Sequence, residues 1–200
     1  VLLSADEVAV AVDEARRRNL TVAAHAYGPR AVRAALEGGV NTLHHGFAGL
    51  DEATLDLWAA GSAFLVPTAT WPSAALDYYE HHLEGYVAAL EQIAGSELKA
   101  RMVVGSDSGI SNPTASTAKE ILLFQRLGLS PEEAIGAATG TAARALRIDH
   151  QTGTIEPGKQ ADLCVVKGDL SVDLSPLLTP ANFLHVVQSG RVVACQGVLS

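Results

Sequence analysis

Leu20-Thr21-Val22-Ala23-Ala24-His25 and Val40-Asn41-Thr42-Leu43-His44-His45, joined through the Ala-rich stretch from Pro29 to Glu37, decide the fold. Each hexapeptide is a short, nearly continuous apolar run, as in strands covered on both faces. Each ends on histidine. The stretch between them opens on Pro29 and is broken by Gly38-Gly39, so the region reads strand, helix, strand.

The same cycle extends in both directions. Upstream, Val8, Val12 and Ala15 fall at helical spacing from Ala5 to Arg18, Ser4 and Glu7 form a capping box, and Asn19 closes the helix. Downstream, Asp51 caps a helix that runs to Ala60 and stops at Gly61, and Ala63 to Thr68 is a third strand. Ser73 to Arg101 holds one or two helices before a fourth strand, Met102-Val103-Val104-Gly105-Ser106-Asp107. A glycine-rich turn from Gly109 to Pro113 follows, then a helix near Thr117 to Leu127 and another opened by Ser130-Pro131 and running to about Leu146. After that the period changes. Gly153 to Lys159 is a turn, Ala161 to Val166 a strand, and His185 to Val193 a strand pair punctuated by Gly190, as in part of a small appended β domain.

Alternating helix and buried strand without hairpins predicts an α/β fold with a parallel sheet and right-handed crossovers. Chemistry in such sheets collects at the C-terminal ends of the strands. His25, His45, Thr68 and Asp107 occupy those ends on four successive strands. Imidazole nitrogen and carboxylate oxygen hold borderline and hard divalent metals, and a catalytic zinc site commonly takes three protein ligands and keeps one position open. His25, His45 and Asp107 supply that set. His44 and His45 point to opposite faces of a regular strand, so only one can face a common site, and parity alone does not choose. Tyr27 lies in the loop after the first strand, where substrate contacts are common. Trp71, Tyr78 and Tyr79 suit a pocket mouth or ordinary packing equally, and His81-His82 with Glu80 and Glu84 reads as a solvated helix face.

Bulk properties bound the function. The chain has 200 residues, 48% hydrophobic and 18% charged, enough to bury a sizeable core. A net charge of −8 without a concentrated Lys/Arg face argues against a nucleic-acid partner. No apolar stretch reaches the roughly 18 residues that cross a bilayer, so no membrane partner is expected. Cys164 and Cys195 sit in apolar strand-like runs, which predicts buried thiols and a cytoplasmic setting rather than a disulfide framework. The first residue is Val1 and no leader is visible; the expectation is that the natural start lies upstream, where a signal peptide would be out of view.

Four strand ends carry a family resemblance: Ala24-His25-Ala26-Tyr27-Gly28, Leu43-His44-His45-Gly46, Val66-Pro67-Thr68 and Gly105-Ser106-Asp107-Ser108-Gly109. The tail adds Ala137-Ala138-Thr139 through Ala142-Ala143 and, most specifically, Gly153-Thr154-Ile155-Glu156-Pro157-Gly158-Lys159-Gln160-Ala161-Asp162-Leu163. These resemble the amidohydrolase superfamily, closest to its prolidase-like and imidazolonepropionase-like branches. The resemblance implies the second half of a (β/α)8 barrel, strands five to eight, over residues 1–150, and part of a small β-sandwich domain over residues 151–200. It implies one or two divalent metals, usually zinc, with His25, His45 and Asp107 as ligands and Asp107 as the general base and then acid. His44 inherits no role, and Tyr27 and Thr68 are expected to contact substrate.

The implied activity is hydrolysis of a carbon–nitrogen bond in a small amide or dipeptide-like molecule by a metal-activated water, with room for a homo-oligomer in the complete enzyme. Two other outcomes stay open: a metal-free relative acting as a structural or interaction module, and a deaminase or cyclic amidohydrolase. The superfamily's His-x-His motif of the first strand and lysine of the fourth are not in this sequence. The chain is therefore expected to behave as an inactive fragment with exposed sheet edges and an open inner face, prone to aggregation or to pairing with a complementary half.

Overall fold

The computed structural model describes residues 3–46, 50–69, 76–108, 116–196 and 198–199, with the side chains of 76–84 and 198–199 outside the description. Trp71, the Gly109–Pro113 turn and the side chains of Tyr78, Tyr79, Glu80, His81, His82 and Glu84 therefore lie outside the described residues. The first helix, α1 (Ala5–Arg17), starts at the capping box read from the sequence: Ser4 accepts from Glu7 N, and Glu7 reaches back to Ser4 N at 2.8 Å. Strand β1 (Ala23–Ala26), helix α2 (Pro29–Glu37), strand β2 (Thr42–His45), helix α3 (Glu52–Ala60) and strand β3 (Phe64–Val66) then follow in the expected alternation. Asp51 caps α3 through Thr54 N, and Gly61 ends it.

All three strands are parallel, in the order β1-β2-β3, with His25 opposite His44 and His44 opposite Val66. The run Met102–Asp107 continues the sheet only at its start: Met102 bridges Leu65 in parallel, and Val103 N donates to Leu65 O at 2.8 Å. Val104 N turns the other way, to Ala137 O at 3.1 Å. Before it come α4 (Leu76–Ala94) and a 3₁₀ turn, Glu97–Arg101.

Sheet register sorts the core. Leu43, Leu65 and Met102 form one row across three strands and are 0–1% exposed. They share a buried cluster with Val32 of α2, Trp58 of α3, Leu90 and Ile93 of α4, and Phe124 of α5 (Thr117–Arg126). Burying each such side chain contributes roughly 1.5–3 kcal/mol, so this row carries the sheet–helix layer. The alternate row, Phe64 and Val66, packs with Val103, Ala142 and Ala145 instead.

The single helix expected from Pro131 to about Leu146 is two, α6 (Pro131–Ala138) and α7 (Gly140–Ala145), broken at Thr139 with φ −126° and ψ −94°. The break coincides with a close approach that periodicity does not record. Residues 153–154 press on Gly140, where a β-carbon would meet Thr154 Cγ2 at 3.3 Å, and a β-carbon on Gly153 would stand 2.5 Å from that of Ala143.

The tail forms a separate antiparallel sheet, β4 (Leu163–Val166), β5 (Phe183–Gln188), β6 (Arg191–Cys195) and β7 (Val198–Leu199), paired in sequence order. Between β4 and β5, Leu174 is fully buried in the main core. The thiols depart from expectation: Cys164 and Cys195 are both exposed. Their apolar runs imply strands covered on both faces, whereas this sheet leaves Val165 and Val192 45% and 49% exposed. Among the described residues no helix is long and apolar enough to cross a membrane.

Candidate functional site

Three of the four residues expected at strand ends share an unusual backbone. His45, Thr68 and Asp107 have φ of 71°, 49° and 49°, in the left-handed region that L-residues, β-branched ones above all, rarely enter. Each such residue costs about 1–3 kcal/mol and persists only where its surroundings over-determine it. The turn has a geometric result at His45. Regular alternation would place His25 with His44, its register partner, yet His45 Nε2 meets His25 Nδ1 at 2.9 Å.

The pair is packed as well as hydrogen-bonded. Tyr27 stacks on His45 with ring centroids 4.7 Å apart and planes at 14°, and lies edge-on to His25 at 4.9 Å. His45 is buried, whereas His25 is exposed at the open side. His45 Nδ1 lies 2.7 Å from Thr68 Oγ1, and Thr68 Oγ1 donates to Pro67 O at 2.7 Å. A threonine hydroxyl has one proton. With that proton on Pro67 O, Thr68 must accept from His45 Nδ1–H, which leaves the lone pair of His45 on Nε2, aimed at His25. Thr68, expected at the substrate, is thus 4% exposed and engaged with protein.

Electrostatics favour a neutral His45. Burial drives its pKa down to about 4, the neighbouring His25 adds to the fall, and Asp107 opposes it. His44 is lowered by burial and then by His25, with Asp107 again opposing, and its Nε2 sits 3.2 Å from Thr42 Oγ1 on its own strand. Asp107 is exposed and acts on both histidines through its charge. Two nitrogens bound to one tetrahedral zinc at about 2.0–2.1 Å would stand about 3.3 Å apart. The observed 2.9 Å between His45 Nε2 and His25 Nδ1 is a direct hydrogen bond a few tenths of an ångström shorter than that, so the donor types and spacing suit a shared ion after a small separation of the rings. Among the described residues, no three His, Cys, Asp or Glu side chains are gathered closely enough to hold a metal; Asp107 is not drawn into the pair.

Two residues behind the sheet were not singled out by sequence reasoning. Tyr86 of α4, 2% exposed, shares its hydroxyl proton between His45 O at 2.6 Å and Pro67 O at 2.8 Å. Its pKa is raised well above that of free tyrosine by burial, then by Glu120 and Tyr27. Glu120 of α5, fully buried, accepts from Ala69 N at 2.7 Å. A tyrosine and a glutamate inside helical patterns carry no signal that separates them from packing and solvated positions.

Comparison with known proteins gives a consistent picture. A profile of the amidohydrolase family matches residues 2–193. Ochratoxinase of Aspergillus niger is 29% identical over 211 aligned positions, which cover 98% of this chain and 42% of that protein. Among solved structures, a Xaa-Pro dipeptidase with methionine bound in its active site superposes with a TM-score of 0.84 at 25% identity, over 95% of this chain and 48% of that one. A prolidase complexed with N-methylphosphonate-L-proline gives 0.76 at 29% identity, over 96% and 50%. The chain spans about half the length of the relatives it matches.

Proposed function

The chain belongs to the amidohydrolase family, and from that premise we propose that it carries the later part of the active site of a metal-dependent hydrolase. The bond cleaved is a carbon–nitrogen bond in a small amide or dipeptide-like substrate, the chemistry named for the dipeptidase and prolidase relatives. In this reading residues 1–150 supply strands five to eight of a (β/α)8 barrel and residues 151–200 part of a small β-sandwich, joined through Leu174.

The observation that carries the proposal is the His25–His45 pair: two nitrogens from adjacent strand ends, 2.9 Å apart, with the lone pair of His45 left on Nε2 by its hydrogen bond to Thr68. A divalent ion, zinc in this reading, would supply when bound a Lewis acid to lower the pKa of water toward about 7 and polarise the scissile carbonyl. His25 through Nδ1 and His45 through Nε2 would hold it, and Asp107 would be the third ligand of the set. Asp107 takes the proton of the attacking water and passes it to the leaving nitrogen, as general base and then acid. Tyr27, stacked on His45, borders the reacting centre and contacts the substrate.

A second reading, a metal-free relative serving as an interaction module, has one observation in its favour: Asp107 stands apart from the histidine pair. Metal analysis and hydrolysis assays on the polypeptide that carries this chain separate the two. Stoichiometric zinc with turnover of Xaa-Pro dipeptides, N-acyl amino acids or cyclic amides is expected. Background metal and no turnover of any of them would leave the second reading.

A further inference from the structure

The strained backbone at His45 and Thr68 needs something to hold it, and the buried hydrogen bonds around it supply the means. Pro67, Thr68 and Ala69 leave the end of β3 as a turn tied on both flanks. Tyr86 donates to Pro67 O, and Glu120 accepts from Ala69 N. The same Tyr86 hydroxyl reaches His45 O at the end of β2. One buried phenol therefore fixes the two strand ends relative to each other. Between them, Thr68 Oγ1 is directed at His45 Nδ1.

We infer that Thr68 and Tyr86 are positioning residues of the metal site, Thr68 setting the Nδ1–H tautomer of His45 and Tyr86 locking the strand ends that bring the two groups together. The inference rests on the reading of His25 and His45 as metal-binding. A ligating histidine works only with its lone pair on the metal side, and which nitrogen carries the proton is decided by the partner of the other one. Here that partner is a neutral hydroxyl whose single proton is committed elsewhere, so it can only accept. Without it, the His45 proton is free to move to Nε2, where it would block coordination. Tyr86 acts one step further back: without its hydroxyl the carbonyls of His45 and Pro67 lose a buried donor, and the left-handed geometry of both strand ends loosens.

Imidazole nitrogen NMR on the metal-free chain reads the tautomer directly, and zinc titration against a chelating dye reads its consequence. Wild-type protein is expected to hold His45 as Nδ1–H. Thr68→Val, similar in shape but unable to accept, shifts the population toward Nε2–H and weakens zinc binding about 10- to 100-fold. Thr68→Ser restores both, which a purely steric role would not require. Tyr86→Phe moves both readouts in the direction of Thr68→Val. An unchanged tautomer and wild-type zinc affinity in Thr68→Val would overturn the inference. If the wild-type protein itself takes up no zinc, the metal reading fails separately, and the tautomer measurement decides the role of Thr68 on its own.

Discussion

The molecule places two pairs of reactive side chains on two different sheets, and they have little else in common. On the parallel sheet, His25 and His45 meet at strand ends, with His45 buried and its backbone left-handed. On the antiparallel sheet, His185 and Cys195 are register partners on β5 and β6, with Cys195 Sγ 3.4 Å from His185 Nδ1 and both residues exposed. By ligand chemistry alone the second pair is the softer and the more suited to zinc. It nevertheless arises from cross-strand register pairing on an open face, and although Gln196 beside it is also left-handed (φ 49°), neither side chain is buried. What marks the first pair as a site is the combination around it: a buried, left-handed histidine with a depressed pKa, held by Thr68, and a buried phenol bridging two carbonyls. The costs of such a residue persist where surrounding interactions offset them.

The contrast is sharpest in turnover. In the polypeptide carrying this chain, Asp107→Asn is expected to lower kcat by about 10²- to 10⁴-fold, the range for loss of a general acid–base group. Cys195→Ala is expected to leave kcat within about twofold; a loss comparable to that of Asp107→Asn would reverse the assignment.

Acid titration tests the histidine pair without metal. The folded pKa of His45, about 4, lies below the unfolded value near 6.5, so the unfolded chain binds more protons between the two. Stability is therefore complete above about pH 6.5, falls as pH drops toward 4, and levels off below. The integrated loss is about 3 kcal/mol. Urea melts of chelator-treated protein should show it, and His45→Gln should remove that slope; an unchanged slope would place its origin elsewhere.

Backbone substitutions compare the two sheets directly. A β-carbon at Gly105, in the run that follows the Met102 bridge to the parallel sheet, would stand 2.4 Å from Val66 Cγ1 of β3, so Gly105→Ala should cost about 1–3 kcal/mol through overpacking. Gly190, in the β5–β6 turn, has φ 79° and open space around it, so Gly190→Ala should cost about 1 kcal/mol through conformation alone. Equal midpoint shifts in urea would show that the parallel sheet is no more tightly packed than the tail.

Much of the frame was legible in the residues. Ser4 and Glu7 mark the start of α1, Pro29 and Gly38 bound α2, β2 and β3 lie within their predicted runs, and β1 overruns its own by one residue, Ala26, whereas the predicted fourth strand pairs only at Met102. Those are local signals, set by caps, breakers and apolar runs. The features that shape the site are not local. Strand alternation aligns His25 with His44, and only the left-handed turn at His45 brings that ring across. Nothing in the apolar run 42–45 encodes that turn; it depends on Thr68 and Tyr86, contributed by other elements 23 and 41 positions away. The exposed thiols and the break at Thr139 were missed for the same reason, since each goes with what the fold does or does not bring against it.

The exposure of Cys164 and Cys195 also has a practical side. Two accessible thiols give each molecule two points at which another copy can be joined covalently once reductant is removed. A dimer band or a doubled mass obtained without reductant thus reports on cysteine chemistry at the small sheet. Assembly state has to be read from protein kept reduced, or from a Cys164→Ser, Cys195→Ser double variant.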